Sequence, residues 1–243
     1  MADLYSNTGD GNIHSGYQSS WANARDHVGA TRNAEQGTTS AFVAVVRQAA
    51  RGGGINYIVY RSFYYFDTSG ITSTVNSATF KIAGLFANDA SCIAVKSTAF
   101  GGDGGTALAA SDFNNITGFS TGASLAGSAT DYSATILTTA WDKLAGYNDL
   151  ASTASLRTDM QNDDVVIICV MDYTNDYLNS ALTSNASLNY GAYYTDNIGT
   201  SKDPYIEYEL ATGYGNAVSG VASGNIGKID GIATANIEKV IGV

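Results

Sequence analysis

The chain has one proline, two cysteines, two histidines, and charged residues at only 14% of 243 positions. Each shortage removes a class of protein. A helical protein of this size would carry more Leu, Glu and Lys. The 12 Lys and Arg residues are scattered against 22 Asp and Glu, for a net charge of -10. Nucleic-acid binding needs a basic footprint that displaces counterions, so DNA and RNA are not expected ligands, and anionic membranes are disfavoured for the same reason. No run approaches the roughly 18 apolar residues of a membrane-spanning helix. The longest apolar run, Val165 to Met171, has the length of a strand. Met1 to Ser6 has neither a basic start nor an apolar core, so no signal peptide is expected, and synthesis in the cytosol is. Cys92 and Cys169 each sit in an apolar strand-like run and read as buried free thiols. With His14 and His27 they make no zinc-ligand spacing.

Glycine (27 residues), Tyr (16), Thr, Ser and Asn fill the vacated places. That composition favours strands joined by Gly, Asn and Asp turns. Strands are expected near Asn12–Tyr17, Ala41–Val46, Ile55–Asp67, Val75–Ala83, Ser91–Ser97, Asp131–Thr138, Val165–Asp172, Ala192–Asp196 and Pro204–Leu210. Ile55–Asp67 carries large side chains on both faces, which predicts a central strand covered on both sides. Trp141–Gln161 is expected to hold a short helix, with Leu150, Ala154, Leu156 and Met160 inward. The whole reads as an all-β sandwich or jelly roll.

After residue 210 the composition shifts. Residues 211–243 repeat with a period of 11: Val218-Ser219-Gly220-Val221-Ala222, then Ile229-Asp230-Gly231-Ile232-Ala233, then Val240-Ile241-Gly242-Val243. Asn225-Ile226-Gly227-Lys228 matches Asn236-Ile237-Glu238-Lys239. An apolar terminus is unusual, because free ends are normally polar and frayed. Val218, Val221, Ile226, Ile229, Ile232, Ile237, Val240, Ile241 and Val243 are therefore expected to pack on a neighbouring copy of the chain.

Arg61 and Asp67 bracket the most distinctive stretch. Arg61 is expected to be a sheet residue covering aromatics with its stem, and Asp67 to open the turn Thr68-Ser69-Gly70. Asp172, Asn175 and Asp176 form a weak calcium candidate that lacks EF-hand spacing, as does the run around Asp159, Asn162, Asp163 and Asp164. No cofactor is expected. No carboxylate pair, and no Ser or Cys with a His, stands out as catalytic machinery, so the protein is not expected to be an enzyme. Trp21, Tyr193 and Tyr194 are candidate glycan contacts among many aromatics that include Tyr64, Tyr65, Tyr173 and Tyr177.

Arg61-Ser62-Phe63-Tyr64-Tyr65-Phe66-Asp67, followed by Thr68-Ser69-Gly70-Ile71 and Val75-Asn76-Ser77-Ala78-Thr79-Phe80, resembles the core of DNRLRE-type domains. Lys202-Asp203-Pro204-Tyr205-Ile206-Glu207-Tyr208 resembles that family's last strand, and Phe80 departs from its usual Leu. The resemblance spans roughly residues 5–210 and implies a jelly-roll, galactose-binding-like β-sandwich. The 11-residue repeats resemble C-terminal repeats on structural proteins of tailed bacteriophages. Together they imply a sandwich over residues 1–210 and a short, β-rich repeat tail over 211–243 that docks subunits. The expected function is that of a virion protein (decoration, fibre or tail component) or a filament subunit. Its partners would be copies of itself and other virion proteins, in a virion or extracellular assembly. The alternative is an adhesion module for surface glycans.

Overall fold

A computed structural model describes residues 1–7, 9–27, 34–36, 41–88, 91–134, 137, 146–192, 202–211, 228–229 and 232–233. The chain is all-β. Its first strands are β1 (Ala2–Tyr5), β2 (Gly11–His14), β3 (Ala34–Gln36), β4 (Ala41–Ala49) and β5 (Ile55–Asp67). Next come β6 (Val75–Asn88), β7 (Cys92–Lys96), β8 (Tyr147–Ala151), β9 (Val165–Asp172), β10 (Ala186–Ala192) and β11 (Tyr205–Leu210). These form one 11-stranded antiparallel sheet. Two short helices, α1 (Trp21–Arg25) and α2 (Ala154–Asn162), punctuate it. Among the described residues of the tail, β12 (Lys228–Ile229) pairs with β13 (Ile232–Ala233), outside the large sheet.

The sheet folds into two layers because its two longest strands change partners along their length. β5 pairs with β4 through Ile55–Tyr60 and with β9 through Ser62–Asp67. β2 pairs with Tyr60–Phe63, overlapping both. It must therefore take the opposite edge, with β4 and β9 following one another along a single edge of β5. β6 does the same: it pairs with β11 and β8 early, then with β10 from Gly84 onward.

Strand alternation explains the core between the layers. Phe80 and Ile82 of β6, Leu150 of β8 and Ile206 of β11 face Tyr64 and Phe66 of β5 and Ile168 and Val170 of β9. All eight are buried. The opposite faces of β5, β7 and β9 build a second core from Val59, Phe63, Val95, Ile167, Cys169 and Met171. Its cover is α1 and the long connection from β7 toward β8, which contributes Phe100, Leu108, Phe113, Ile116 and Leu125. β5 is thus central and covered on both faces, as its two-sided bulk predicts.

Among its described residues that connection has no strand, and side-chain hydrogen bonds hold it together. Asp112 accepts from the Ala109 amide (2.9 Å) and from Asn115 Nδ2 (2.7 Å). Gly118 adopts a φ of +83°, and a Cβ there would lie 2.0 Å from the Ser128 carbonyl oxygen, so only glycine fits.

Several expectations change. Tyr147–Ala151 is a strand, and the helix begins only at Ala154. Leu150 is inward as expected, but from β8. Leu156 and Met160 are the buried residues of α2. Asp131 and Ser133 make isolated bridges only. The strand sought at Ala192–Asp196 runs instead over Ala186–Ala192, and residues 193–196 lie outside the described residues. Cys92 and Cys169 are buried free thiols. Cys92 faces the first core and Cys169 the second. They lie on opposite sides of one layer and cannot bridge.

Candidate functional site

Odd-numbered residues of β5 face the second core, which places Arg61 under an apolar cover. Its side chain is fully buried, guanidinium included. Arg61 Nε donates to Asp176 Oδ2 and Nη2 to Asp176 Oδ1, both at 2.7 Å. Nη1 donates to the Phe113 carbonyl (2.7 Å) and to Asn114 Oδ1 (2.8 Å), and Nη2 also reaches the Arg25 carbonyl (3.0 Å). The guanidinium carbon lies 4.2 Å from the centroid of the Phe113 ring. Burial works against the Arg61 charge, yet the contact with Asp176 prevails and holds its pKa above the ordinary arginine value. Arg61 is a sheet residue as expected, but its head group is buried along with its stem, stacked on Phe113 and paired with Asp176.

A second buried arginine joins the network. Arg25, in the last turn of α1, donates from Nε to the Asp176 carbonyl (2.8 Å) and from Nη1 to Asp26 Oδ1 (2.6 Å). Asp176 lies in a single π-helical turn, Tyr173–Tyr177, which follows β9 directly. Asp172 caps that turn by accepting from the Asn175 amide (2.7 Å), and it also accepts from the Ser91 amide (3.2 Å). Burial raises the Asp172 pKa to about 6.

Above this network lies a hollow of about 390 Å³ lined by Gln18, Ala22, Asn23, Asp26, His27 and Thr121. Its two walls, α1 and the segment around Gly122, are tied together. The Gly122 amide donates to Asp26 Oδ2 (2.8 Å), and its carbonyl accepts from Asn179 Nδ2 (2.9 Å). Asn179 Oδ1 in turn accepts from the Trp21 indole (2.8 Å). Asn179 holds a left-handed φ of 54°, which Asn tolerates better than most residues.

A second, larger cleft of about 590 Å³ is flanked by Lys96, Asp103, Tyr132, Asp163 and Asp164. Its lysine is engaged. Lys96 Nζ contacts Asp159 (2.9 Å) and Asp163 (3.4 Å), and the Tyr132 hydroxyl donates to Asp159 (2.6 Å).

A third feature is the outer face of the β1–β11–β6–β8 layer. Tyr5, Tyr205, Lys81 and Asp149 form one cross-strand row. Tyr205 contacts the rings of both Tyr5 (5.4 Å) and Tyr147 (4.8 Å). Lys81 bridges Asp149 (3.0 Å) and Glu207 (3.7 Å).

The residues singled out in the sequence fare unevenly. Asp67 opens its turn as expected, its Oδ1 accepting from the Ser69 amide (3.0 Å) and hydroxyl (2.6 Å). Of the calcium candidates, Asp172 caps the π-helical turn and Asp176 pairs with Arg61, while Asn175 donates from Nδ2 to the Ser180 carbonyl (2.6 Å) and keeps a buried Oδ1 with no hydrogen-bond partner among the described residues. Among the described residues no group of three or more His, Cys, Asp or Glu side chains is placed to hold a metal. Tyr64 and Tyr177 are core residues, and Tyr65 and Tyr173 are half-buried. Trp21 is half-buried against the second core, its ring 6.1 Å from that of Tyr57. Tyr193, Tyr194, Val218, Val221, Ile226, Ile237, Val240, Ile241 and Val243 lie outside the described residues, while the backbones of Ile229 and Ile232 pair with each other. Arg25, Asp26, Tyr5, Tyr147 and Tyr205 were not singled out in the sequence, because nothing local marks them. Fold and site together define an all-β protein with a buried arginine–carboxylate network, and its sequence matches no protein-family model and no curated protein.

Proposed function

We propose that the chain is a non-enzymatic structural subunit that assembles with copies of itself, as a bacteriophage decoration, fibre or tail component or as a filament subunit. One observation carries the reading. The described strands of the tail pair only with each other, and residues 2–210 supply all 11 strands of the large sheet. In this reading the repeat docks on a neighbour. Among the described strands β1 pairs only with β11 and stands at one end of the sheet order. Strand addition at that edge, with Ile and Val filling alternate pockets, is a physical route to assembly. Heterologous contacts of this kind build rings or open filaments. The DNRLRE-like, jelly-roll relationship and the division into 1–210 and 211–243 belong to the same proposal. The test is electron microscopy and light scattering of the full chain beside a chain ending at Leu210. The shortened chain should stay folded and remain unassembled; if it assembles like the full chain, the tail is not the docking element.

The outer tyrosine row favours a second reading, an adhesive glycan-binding role. Tyr5 is 50% exposed and contacts Tyr205, beside charged hydrogen-bonding groups. Sugars stack on such rings with their apolar faces. A glycan array with no bound sugar would remove this reading and leave the first intact.

A further inference from the structure

We infer that the hollow between α1 and the Gly122 segment is a binding site for a neutral saccharide. The inference rests on the adhesive reading and gives it a second location, remote in the fold from the outer tyrosine row.

The polar character of the lining selects the ligand class. Gln18, Asn23, Thr121 and His27 offer amide, hydroxyl and imidazole groups, a mixture of donors and acceptors. The Asn23 and Thr121 side chains are exposed at the surface of the hollow. The one carboxylate, Asp26, is matched by Arg25 Nη1 at 2.6 Å and the Gly122 amide at 2.8 Å. The wall therefore carries little uncompensated charge. Among the described residues of the lining there is no Lys or Arg to meet a phosphate or sulfate ester, and no carboxylate beyond the engaged Asp26 to meet a polyamine. A ring bearing several hydroxyl groups suits such a lining. The volume, about 390 Å³, falls in the range of small-molecule sites and suits one or two sugar units.

Trp21, next to Ala22 on α1, is coupled to the hollow's wall: its indole donates to Asn179 Oδ1 (2.8 Å), and Asn179 Nδ2 holds the Gly122 carbonyl (2.9 Å).

The hollow is also built to keep its shape. Both backbone groups of Gly122 are clamped, the amide by Asp26 and the carbonyl by Asn179. Asn179 locks the Trp21 indole from the same side chain. Beneath Asp26 lies the Arg25–Asp176–Arg61 network, which packs against Phe113 and Phe119. The walls are thereby held in place before a ligand arrives, which lowers the ordering cost of binding.

The test uses the full chain carrying Trp141→Phe, which leaves Trp21 as the sole tryptophan. Galactose, glucose, mannose, N-acetylglucosamine and their neutral oligomers are titrated while indole fluorescence is followed, with sialylated and sulfated oligosaccharides as charged counterparts. At least one neutral sugar should produce a saturable change. Asn23→Ala should weaken it by about tenfold, the worth of a well-placed hydrogen bond. Ala22→Gln, at an exposed helix position, should fill the hollow and abolish the change while leaving the unfolding midpoint unaltered. Undiminished binding by folded Ala22→Gln would overturn the assignment. So would a response to the charged sugars alone. If Tyr5→Ala or Tyr205→Ala abolishes binding and Ala22→Gln does not, the adhesive reading survives and the hollow is wrong. If no sugar changes the indole fluorescence the hollow is wrong, and if a glycan array also shows no bound sugar the adhesive reading falls with it.

Discussion

Replacing Asp176 with alanine removes the acceptor on which two buried arginines converge. Arg61 loses two charge-assisted hydrogen bonds of 2.7 Å, and both partners are wholly shielded from water. The Arg25 side chain, also fully buried, loses a carboxylate 3.6 Å from its Nε. Breaking one buried pair by removing a single partner costs about 3–5 kcal/mol, because the stranded charge cannot recover its hydration. For a protein of this size each kcal/mol moves the thermal midpoint by about 2–4 °C, so a fall of roughly 6–20 °C is expected. Arg61 cannot escape by losing its proton, so the deficit should persist across neutral and mildly acidic pH. Urea unfolding followed by circular dichroism measures it directly. Asp149→Ala is the control, since its partner Lys81 is near the surface and Asp149 is itself 56% exposed. That change should cost no more than about 1 kcal/mol. Replacing Arg61 and Asp176 together by apolar residues of similar volume should recover much of the loss. A fall below about 1 kcal/mol for Asp176→Ala would refute the claim that this network holds the second core together.

Three further outcomes follow from other sites. Asp172 holds its proton more tightly when folded, with a pKa of about 6 against an ordinary 3.8. The unfolded chain releases that proton first, so this group's contribution to stability declines as pH rises from about 4 to about 6, by ~3 kcal/mol, and Asp172→Asn should flatten that part of the pH–stability curve. Gly118→Ala should destabilise by about 2–4 kcal/mol in chemical unfolding, since its Cβ would meet the Ser128 carbonyl at a φ of +83°. Burial pushes both cysteine thiols up, so a thiol reagent should label neither in the native protein and both in denaturant.

Strand periodicity and side-chain bulk were enough to read β5 and β9 at their full lengths. Their neighbours were less legible. The Tyr147–Ala151 stretch alternates like a strand, but it runs into a true helical segment, and the two periods blur across that junction. β10 carries Ala, Ser, Asn and Gly, so little in its composition announces a strand. For the candidate site, Arg61 was conspicuous as a cation inside an aromatic strand. Its partner was not, because Asp176 lies 115 positions away and Arg25 sits on a five-residue helix. The same limit hid the tyrosine row, whose members come from β1, β8 and β11. A spacing within one element can be counted along a sequence, whereas a meeting of several elements depends on topology.

β6 has a consequence for how the body carries load. It hydrogen-bonds to β11 and β8 over its first half and to β10 over its second, and it is one unbroken strand. Tension applied through β1 and β11 would pass along that covalent backbone into the opposite layer. The layers therefore cannot be peeled apart like two stacked cards; they separate only by shearing many ladder bonds at once.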